Sequence, residues 1–452
     1  MGLPGGGAGM KLAVVGAGWA GMAAAVEAAG LGMDVTVFEA TRALGGRARA
    51  LGTEMPDGTP ITLDNGQHIL IGAYSETLAL MQRVGLDLPQ ALMALPLSLP
   101  YPDGTGLQTP TWAARWPAPL DALAAIATAR GWTWGERLAL IRASLGWQMA
   151  GFLCEPTATV EQLCENLPDR VVQELIEPLC VSALNLPSSH ASASVFLRVM
   201  QDALFGRGAA GFGASNLLLP RTDLGSLFPS AAALWLQRHH GSSSRIHMGA
   251  RITGLLNHAG RWRLTGEGVD EAFDCVVWAT PASVAAQTLL AHADDNETLA
   301  SWALSAHALH FTAITTVYAF APGARLSAPM LALRAEPDAH AAPAQFVFDR
   351  GQLNPDDTGV LAFVVSASSG ERDELQARVL QQGERQLGLS LQPLITVVEK
   401  RATFACTPGL ERPGALMAPG LFAAGDYVQG PYPATLEASV RSGLAAARLA
   451  NE

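Results

Sequence analysis

At 452 residues the chain is too long for one simple core, and at ~100–200 residues per domain it should hold two or three units. Hydrophobic residues make up 49% and charged residues 15%, against about 25% charged in an average soluble domain, which excludes a disordered chain. A net charge of −11, with no Lys/Arg run beyond isolated pairs, excludes nucleic acid and other polyanions as partners, because phosphate binding needs clustered cations.

The five cysteines, Cys154, Cys164, Cys180, Cys275 and Cys406, are odd in number and form no C-x-x-C. Neither a disulfide framework nor a zinc site is supported, so free thiols in a reducing cytosol and no metal are expected. No apolar run approaches the ~18–20 residues that span a bilayer. Residues 1–9 lack the basic start and apolar centre of a signal peptide and are expected to be a disordered extension ahead of Met10. The expected location is the cytoplasm or the inner face of its membrane.

The first predicted elements are a strand (Lys11–Val15), an alanine-rich helix (about Trp19–Leu31) and a second strand (Asp34–Glu39), a βαβ unit. The turn between them reads Gly16-Ala17-Gly18-Trp19-Ala20-Gly21. Gly16 permits the tight turn, Gly18 lets backbone approach a pyrophosphate, and Gly21 allows close helix packing, with Ala20 in the same turn. Free amides at the helix start bind phosphates, and Glu39 can accept from ribose hydroxyls. Together these predict dinucleotide binding.

Gly45-Gly46-Arg47 follows immediately, where a nicotinamide fold would run on into its next helix. Leu-Gly-Gly-Arg at this place resembles the FAD-binding segment of the amine oxidase and phytoene desaturase flavoprotein superfamily. The resemblance implies an FAD cofactor, with Gly45 and Gly46 bringing backbone under it and Arg47 contacting its phosphates. The stretch 63–74, LDNGQHILIGAY, then sets Asn65, Gly66, Gln67 and His68 before an apolar run. In the resembling family this segment passes beside the flavin ring, which would supply the partners that buried polar groups need.

Half of the ten tryptophans fall between Trp112 and Trp147, and residues 91–135 hold only four charges. Such a segment suits the wall of an apolar ligand site, a membrane interface, or a tryptophan-rich core. Gly206-Arg207-Gly208-Ala209-Ala210-Gly211 repeats the literal glycine pattern, but a helix (SVFLRVMQDALF) feeds it rather than a strand, so a flexible loop is expected there. Residues 245–280 alternate around a turn at His258-Ala259-Gly260, a hairpin pattern. A strand then ends in Thr280-Pro281, where Thr280 can cap and Pro281 can start a helix. The resemblance implies that backbone near Ile252 grips the adenine.

At the C-terminus Leu421–Ala424 reads as a strand running into Gly425-Asp426, and a helix starts around Pro433–Leu436. In the family the aspartate holds ribitol hydroxyls, and the helix start near Leu436 faces the flavin pyrimidine ring. Its dipole would stabilise negative charge on the reduced flavin. The expected fold is α/β: a Rossmann-like FAD-binding domain of the glutathione-reductase type, built from 10–75, 241–289 and 396–452. An inserted α+β substrate domain comprises 76–240 and 290–395.

The phrases LCVSALNLP (179–187), MQDALFG (200–206), NLLLPRTDLGSLFP (216–229), KRATFACTPG (400–409) and PYPATLEASVRSG (431–443) carry no chemistry legible from first principles. Together with DNGQHILIGAY they resemble one branch of the superfamily, the squalene-associated FAD-dependent proteins of hopanoid biosynthesis, from Met10 to near the end. The resemblance implies reduction of hydroxysqualene, an apolar C30 isoprenoid, to squalene with loss of water. Peripheral membrane contact is expected from the tryptophan-rich apolar segment, and association with other squalene-pathway enzymes is a further expectation. An acid must then protonate the leaving oxygen, with His68 and Tyr432 the candidates. A carotenoid-type desaturase, a flavin amine oxidase using Tyr427 and Tyr432 as an aromatic pair, and a non-catalytic FAD-binding scaffold remain as alternatives. The electron donor is not legible; one dinucleotide fingerprint leaves a separate reductase or a quinol.

Overall fold

The computed structural model describes residues 9–292, 296–336 and 341–452. All but Gly9 of the extension expected to be disordered, residues 1–9, lies outside them.

Six strands form the sheet that carries the glycine turn. Their order is Ser244–Met248, Asp34–Glu39, Lys11–Val15, Cys275–Trp278, Leu421–Ala423, Leu416–Ala418. Five run in parallel and the last is antiparallel. The central strands are unbroken apolar runs because both faces are covered. Leu12, Val14, Val35 and Val37 pack on the helices Trp19–Gly30 and Leu436–Asn451. Ala13, Val15 and Phe38 turn the other way, onto a three-stranded antiparallel sheet, Ile252–His258, Arg261–Gly266 and Val269–Phe273. Its first hairpin turns at Ala259 (φ 52°) and Gly260 (φ 79°), where the sequence predicts it.

The two helices meet through small residues. A Cβ on Gly443 would lie 2.1 Å from the Ala20 carbonyl oxygen, so backbones touch where side chains would separate them. Gly443→Ala is expected to lower unfolding stability by about 1–3 kcal/mol, read from the urea midpoint. Glu27, buried on the first helix, is bridged by Arg83 (2.6 Å) and Arg448 (2.8 Å), which ties three helices together.

A second sheet, antiparallel, has the order Met330–Ala332, Phe346–Asp349, Val360–Ser368, Phe311–Phe320, Gln392–Phe404. The helix Arg372–Leu387 covers one face. The other shares a core with the helices of residues 160–205. Asn185 explains part of the LCVSALNLP phrase. It ends the helix Glu177–Leu184 in the left-handed region (φ 52°), and its amide donates to Thr312 (2.8 Å) and Thr403 (2.9 Å) on two neighbouring strands.

Two expectations are corrected. Thr280 does not cap the helix Ala282–Leu290, because its hydroxyl accepts from the Trp278 indole at 2.9 Å. Residues 206–211 are a loop, as expected, but a packed one: Ala209 N–H donates to Gly72 O at 3.0 Å, and a Cβ on Gly208 would meet the Phe212 carbonyl at 1.8 Å.

Candidate active site

The three glycines of the first turn differ in what surrounds them. Gly16 has φ 108° and packs on the Ala279 carbonyl, 2.7 Å from where its Cβ would be. At Gly21 a Cβ would sit 1.9 Å from the Gly16 oxygen, so helix and turn need hydrogen there. Gly18 is unlike both. Its Cβ would meet nothing nearer than Gly45 O at 3.9 Å, so the space in front of it is open. Gly18 opens the helix Trp19–Gly30 with no side-chain cap, which leaves first-turn amides facing that space. Glu39 stands beside the turn, buried, with its carboxylate accepting from Ala17 N–H at 2.8 Å and from Thr41.

The Gly-Gly-Arg turn lies directly opposite. Gly45 forms an isolated parallel bridge with Gly18, and both Gly45 (φ 107°) and Gly46 (φ 62°) take conformations that favour glycine. Arg47 then reaches Asp426 at 2.6 Å, 379 residues away in sequence, and also donates to the Ala402 carbonyl. Gly425 N–H donates to Ser442 on the last helix (3.1 Å). Next to this pair Tyr427 is fully buried with a hydroxyl that has no partner among the described residues. The open space before Gly18, uncapped helix amides and an orphaned buried hydroxyl beside an Arg–Asp pair fit a bound dinucleotide. Among these, Tyr427 gave no cofactor signal in the sequence.

The stretch 63–74 closes the site from one side. Asn65 donates from its amide to the Arg47 carbonyl (3.2 Å) and to Glu399 (3.3 Å). Gly66 (φ 133°) turns the chain, and its carbonyl lies 2.8 Å from Nδ1 of His68. Gln67 N–H donates to the Thr316 hydroxyl at 3.4 Å, and its side-chain oxygen accepts from Arg350 at 3.2 Å. Leu70–Ile71 is a two-residue strand paired with Leu217–Leu218. The crowded polar residues are thus held by specific partners, several of them distant in sequence.

Beneath Gln67 lies a buried charge cluster that sequence reasoning missed. Arg350 is bridged to Asp357 (2.8 Å) and sits 3.7 Å from Asp64, with all three side chains at most 4% exposed. One cation cannot balance two buried carboxylates, so ionising the second is disfavoured. Asp357 holds the closer contact, and burial pushes Asp64 up to about 7. A carboxyl raised on folding contributes stability while protonated, and this is lost as pH rises from its unfolded value near 4 to about 7. Asp64→Asn is therefore expected to flatten the decline in urea stability across that range.

The two acid candidates stand in different surroundings. His68 is half-buried, and the loss of water around its ring lowers its pKa, with the neighbouring Arg47 acting in the same direction. The bond to Gly66 O places a neutral ring's proton on Nδ1, and Nε2 has no hydrogen-bond partner among the described residues. Tyr432 is half-buried, donates to Asp202 (2.8 Å) and accepts from Arg198 (3.0 Å). Burial and Asp202 raise its pKa. Tyr427 packs edge-on to Trp302, 6.4 Å between centroids, and Tyr432 against Arg198 and Arg441.

Leu436 opens the last helix, whose start is capped by Thr435 accepting from Ala438 N–H at 3.1 Å. Ile252 is buried in apolar core; the backbone that bonds to Glu39 and Thr41 comes from Ala250 and Gly249. A cavity of about 960 Å³ lies apart from these groups, lined by Arg42, Asp223, Gln237 and Met248, and none of the assigned cofactor residues lines it.

This fold and this turn define a dinucleotide-binding α/β protein. The family model for flavin containing amine oxidoreductase matches residues 19–451, and the chain belongs to that family. A flavin in a dinucleotide site is FAD, so the chain is an FAD-dependent oxidoreductase. Hydroxysqualene dehydroxylases from Sinorhizobium fredii and Rhodopseudomonas palustris are 26% and 27% identical, covering 97% and 96% of this chain and 97% of each relative. A zeta-carotene desaturase from Synechocystis is 38% identical over only 17% of this chain and 15% of its own. The crystal structure of a putative protoporphyrinogen oxidase from Exiguobacterium matches with a TM-score of 0.66 at 20% identity, covering 98% and 99% of the two chains.

Proposed function

We propose that this protein reduces hydroxysqualene to squalene. The observation that carries the reading is the near end-to-end match to two hydroxysqualene dehydroxylases, whereas the desaturase match covers less than a fifth of either chain. The allylic C–O bond breaks with its electron pair on oxygen, the oxygen takes a proton and leaves as water, and the carbon gains a hydride. When bound, reduced FAD supplies that hydride. Arg47, Asp426 and the two glycine turns hold the cofactor, joined by Glu39, Gly66, Gln67, Gly425 and the start of the last helix at Leu436. Backbone near Ile252 borders the adenine side. The apolar run after His68 keeps water from recapturing the cation.

We assign the proton to His68 rather than Tyr432, whose hydroxyl is engaged by Asp202 and Arg198. Because its pKa lies below the ordinary 6.5, few rings are protonated at neutral pH. The single-turnover rate of pre-reduced enzyme should therefore climb as pH falls through that value, roughly tenfold per unit on the alkaline side. His68→Phe with FAD bound should lose that rise and about 10²–10⁴ in rate. Retention of the wild-type rate would place the acid elsewhere. A C30 chain resides in lipid, so the enzyme works at the cytoplasmic face of the membrane, beside other squalene-pathway enzymes, with electrons from a separate reductase or a quinol. Mass spectrometry of products from hydroxysqualene and from a polyene, each with purified enzyme, tests the substrate assignment. Squalene from the first supports it, and desaturation of the second supports a carotenoid-type enzyme instead.

A further inference from the structure

The helix Trp134–Met149 is apolar on two faces. Leu140, Ala143 and Trp147 turn inward and pack on the main core. Trp134, Leu138, Leu145 and Met149 fall within about 60° of one another at 3.6 residues per turn. All four are exposed, Trp134 by 69% and Met149 by 84%. Leu153, just past the helix end, and Trp112, Trp116 and Leu120 of the preceding segment are exposed as well. The helix is firmly set: Thr133 and Glu136 form a capping box, and Arg137 donates to the Ala127 (2.8 Å) and Ala129 (2.7 Å) carbonyls. A rigid helix holding a long apolar stripe in water marks an interaction surface.

Charge decides what covers it. The chain carries −11 overall, but residues 112–153 hold four arginines against two acids. Both acids are occupied, Asp121 buried on Ser215 and Glu136 in the cap. Arg115, Arg130 and Arg142 are exposed and ion-paired with nothing among the described residues. A second copy on a two-fold axis would set these cations against each other. An anionic lipid surface neutralises them, takes the leucines and methionine into its acyl boundary, and suits tryptophan rings with a wet N–H. The acidic remainder of the protein is repelled by the same surface, which fixes orientation.

We infer that the Trp134–Met149 stripe, with Trp112, Trp116 and the flanking arginines, is a docking surface for an anionic bilayer. The inference stands on this surface alone and deepens the substrate reading by giving a C30 chain a route from lipid to enzyme. The test is flotation of FAD-loaded protein with phosphatidylglycerol-containing vesicles, without substrate, so its outcome is independent of whether hydroxysqualene is the substrate. Wild-type protein should float with these vesicles and about tenfold less with pure phosphatidylcholine or at high salt. Combining Leu138→Gln, Leu145→Gln and Met149→Gln should cut the bound fraction tenfold or more with FAD content unchanged. The inference fails if wild-type protein stays in the aqueous fraction or if the triple variant floats equally well. It also fails if sedimentation velocity finds a wild-type dimer that the triple variant dissolves while vesicles capture neither, which would make the stripe a contact between copies of this chain.

Discussion

Gly18→Val is expected to give a folded protein that purifies without its yellow colour. The valine side chain has room, since a Cβ at Gly18 finds no atom nearer than 3.9 Å, and the backbone there (φ −75°) suits any residue. What the side chain fills is the open space in front of the first glycine turn. FAD affinity should fall about 100-fold or more, some 3 kcal/mol, with little change in the urea midpoint of the apoprotein. Gly21→Val is the contrast: its Cβ would lie 1.9 Å from the Gly16 oxygen, so the helix must move off the turn and the fold itself is lost. Titration of the two apoproteins with FAD, alongside their unfolding curves, separates a binding defect from a packing defect.

Arg350→Met is expected to destabilise the protein by about 3–5 kcal/mol. Removing the cation leaves Asp357, buried and among the described residues ion-paired only to Arg350, beside Asp64 with no compensating charge. It also frees the Gln67 side chain, so residual folded enzyme should bind FAD more weakly than wild type. The exposed pair Arg378–Glu374, shorter at 2.5 Å, serves as the control. Both its partners are more than a third exposed, and Arg378→Ala should cost under about 1 kcal/mol. Urea denaturation of both variants decides whether burial or distance governs these pairs. The expected ranking puts the longer but buried contacts far ahead.

Much of the cofactor half was legible because glycine, alternation and helix starts are local signals. Gly16, Gly18 and Gly21 announce three different spatial demands through spacing alone; a Cβ at Gly16 or Gly21 would clash, while Gly18 faces open space. The hairpin at Ala259-Gly260 follows from alternation about a turn. Other features are not local. Arg350 sits in FVFDRG with no motif around it, and only the fold brings it under Gln67 from 283 residues away. Asn185 could not be read as a clamp, because its partners lie on strands more than a hundred residues downstream. Thr280 precedes a proline and a helix, so it looks like a cap, yet the Trp278 indole takes its hydroxyl. The tryptophan-rich segment left three readings open, and folding divides it: Trp132 is buried while Trp112, Trp116 and Trp134 are exposed. Composition cannot make that division, because burial is decided by which face of each element meets the core.

The direction of electron flow separates a dehydroxylase from a desaturase on the same flavin fold. FAD-loaded protein reduced with dithionite in the absence of oxygen should regain its yellow colour on addition of hydroxysqualene, with one squalene formed per flavin reoxidised. A flavin that stays reduced with hydroxysqualene, in a protein whose oxidised form is bleached by a polyene, would contradict the account.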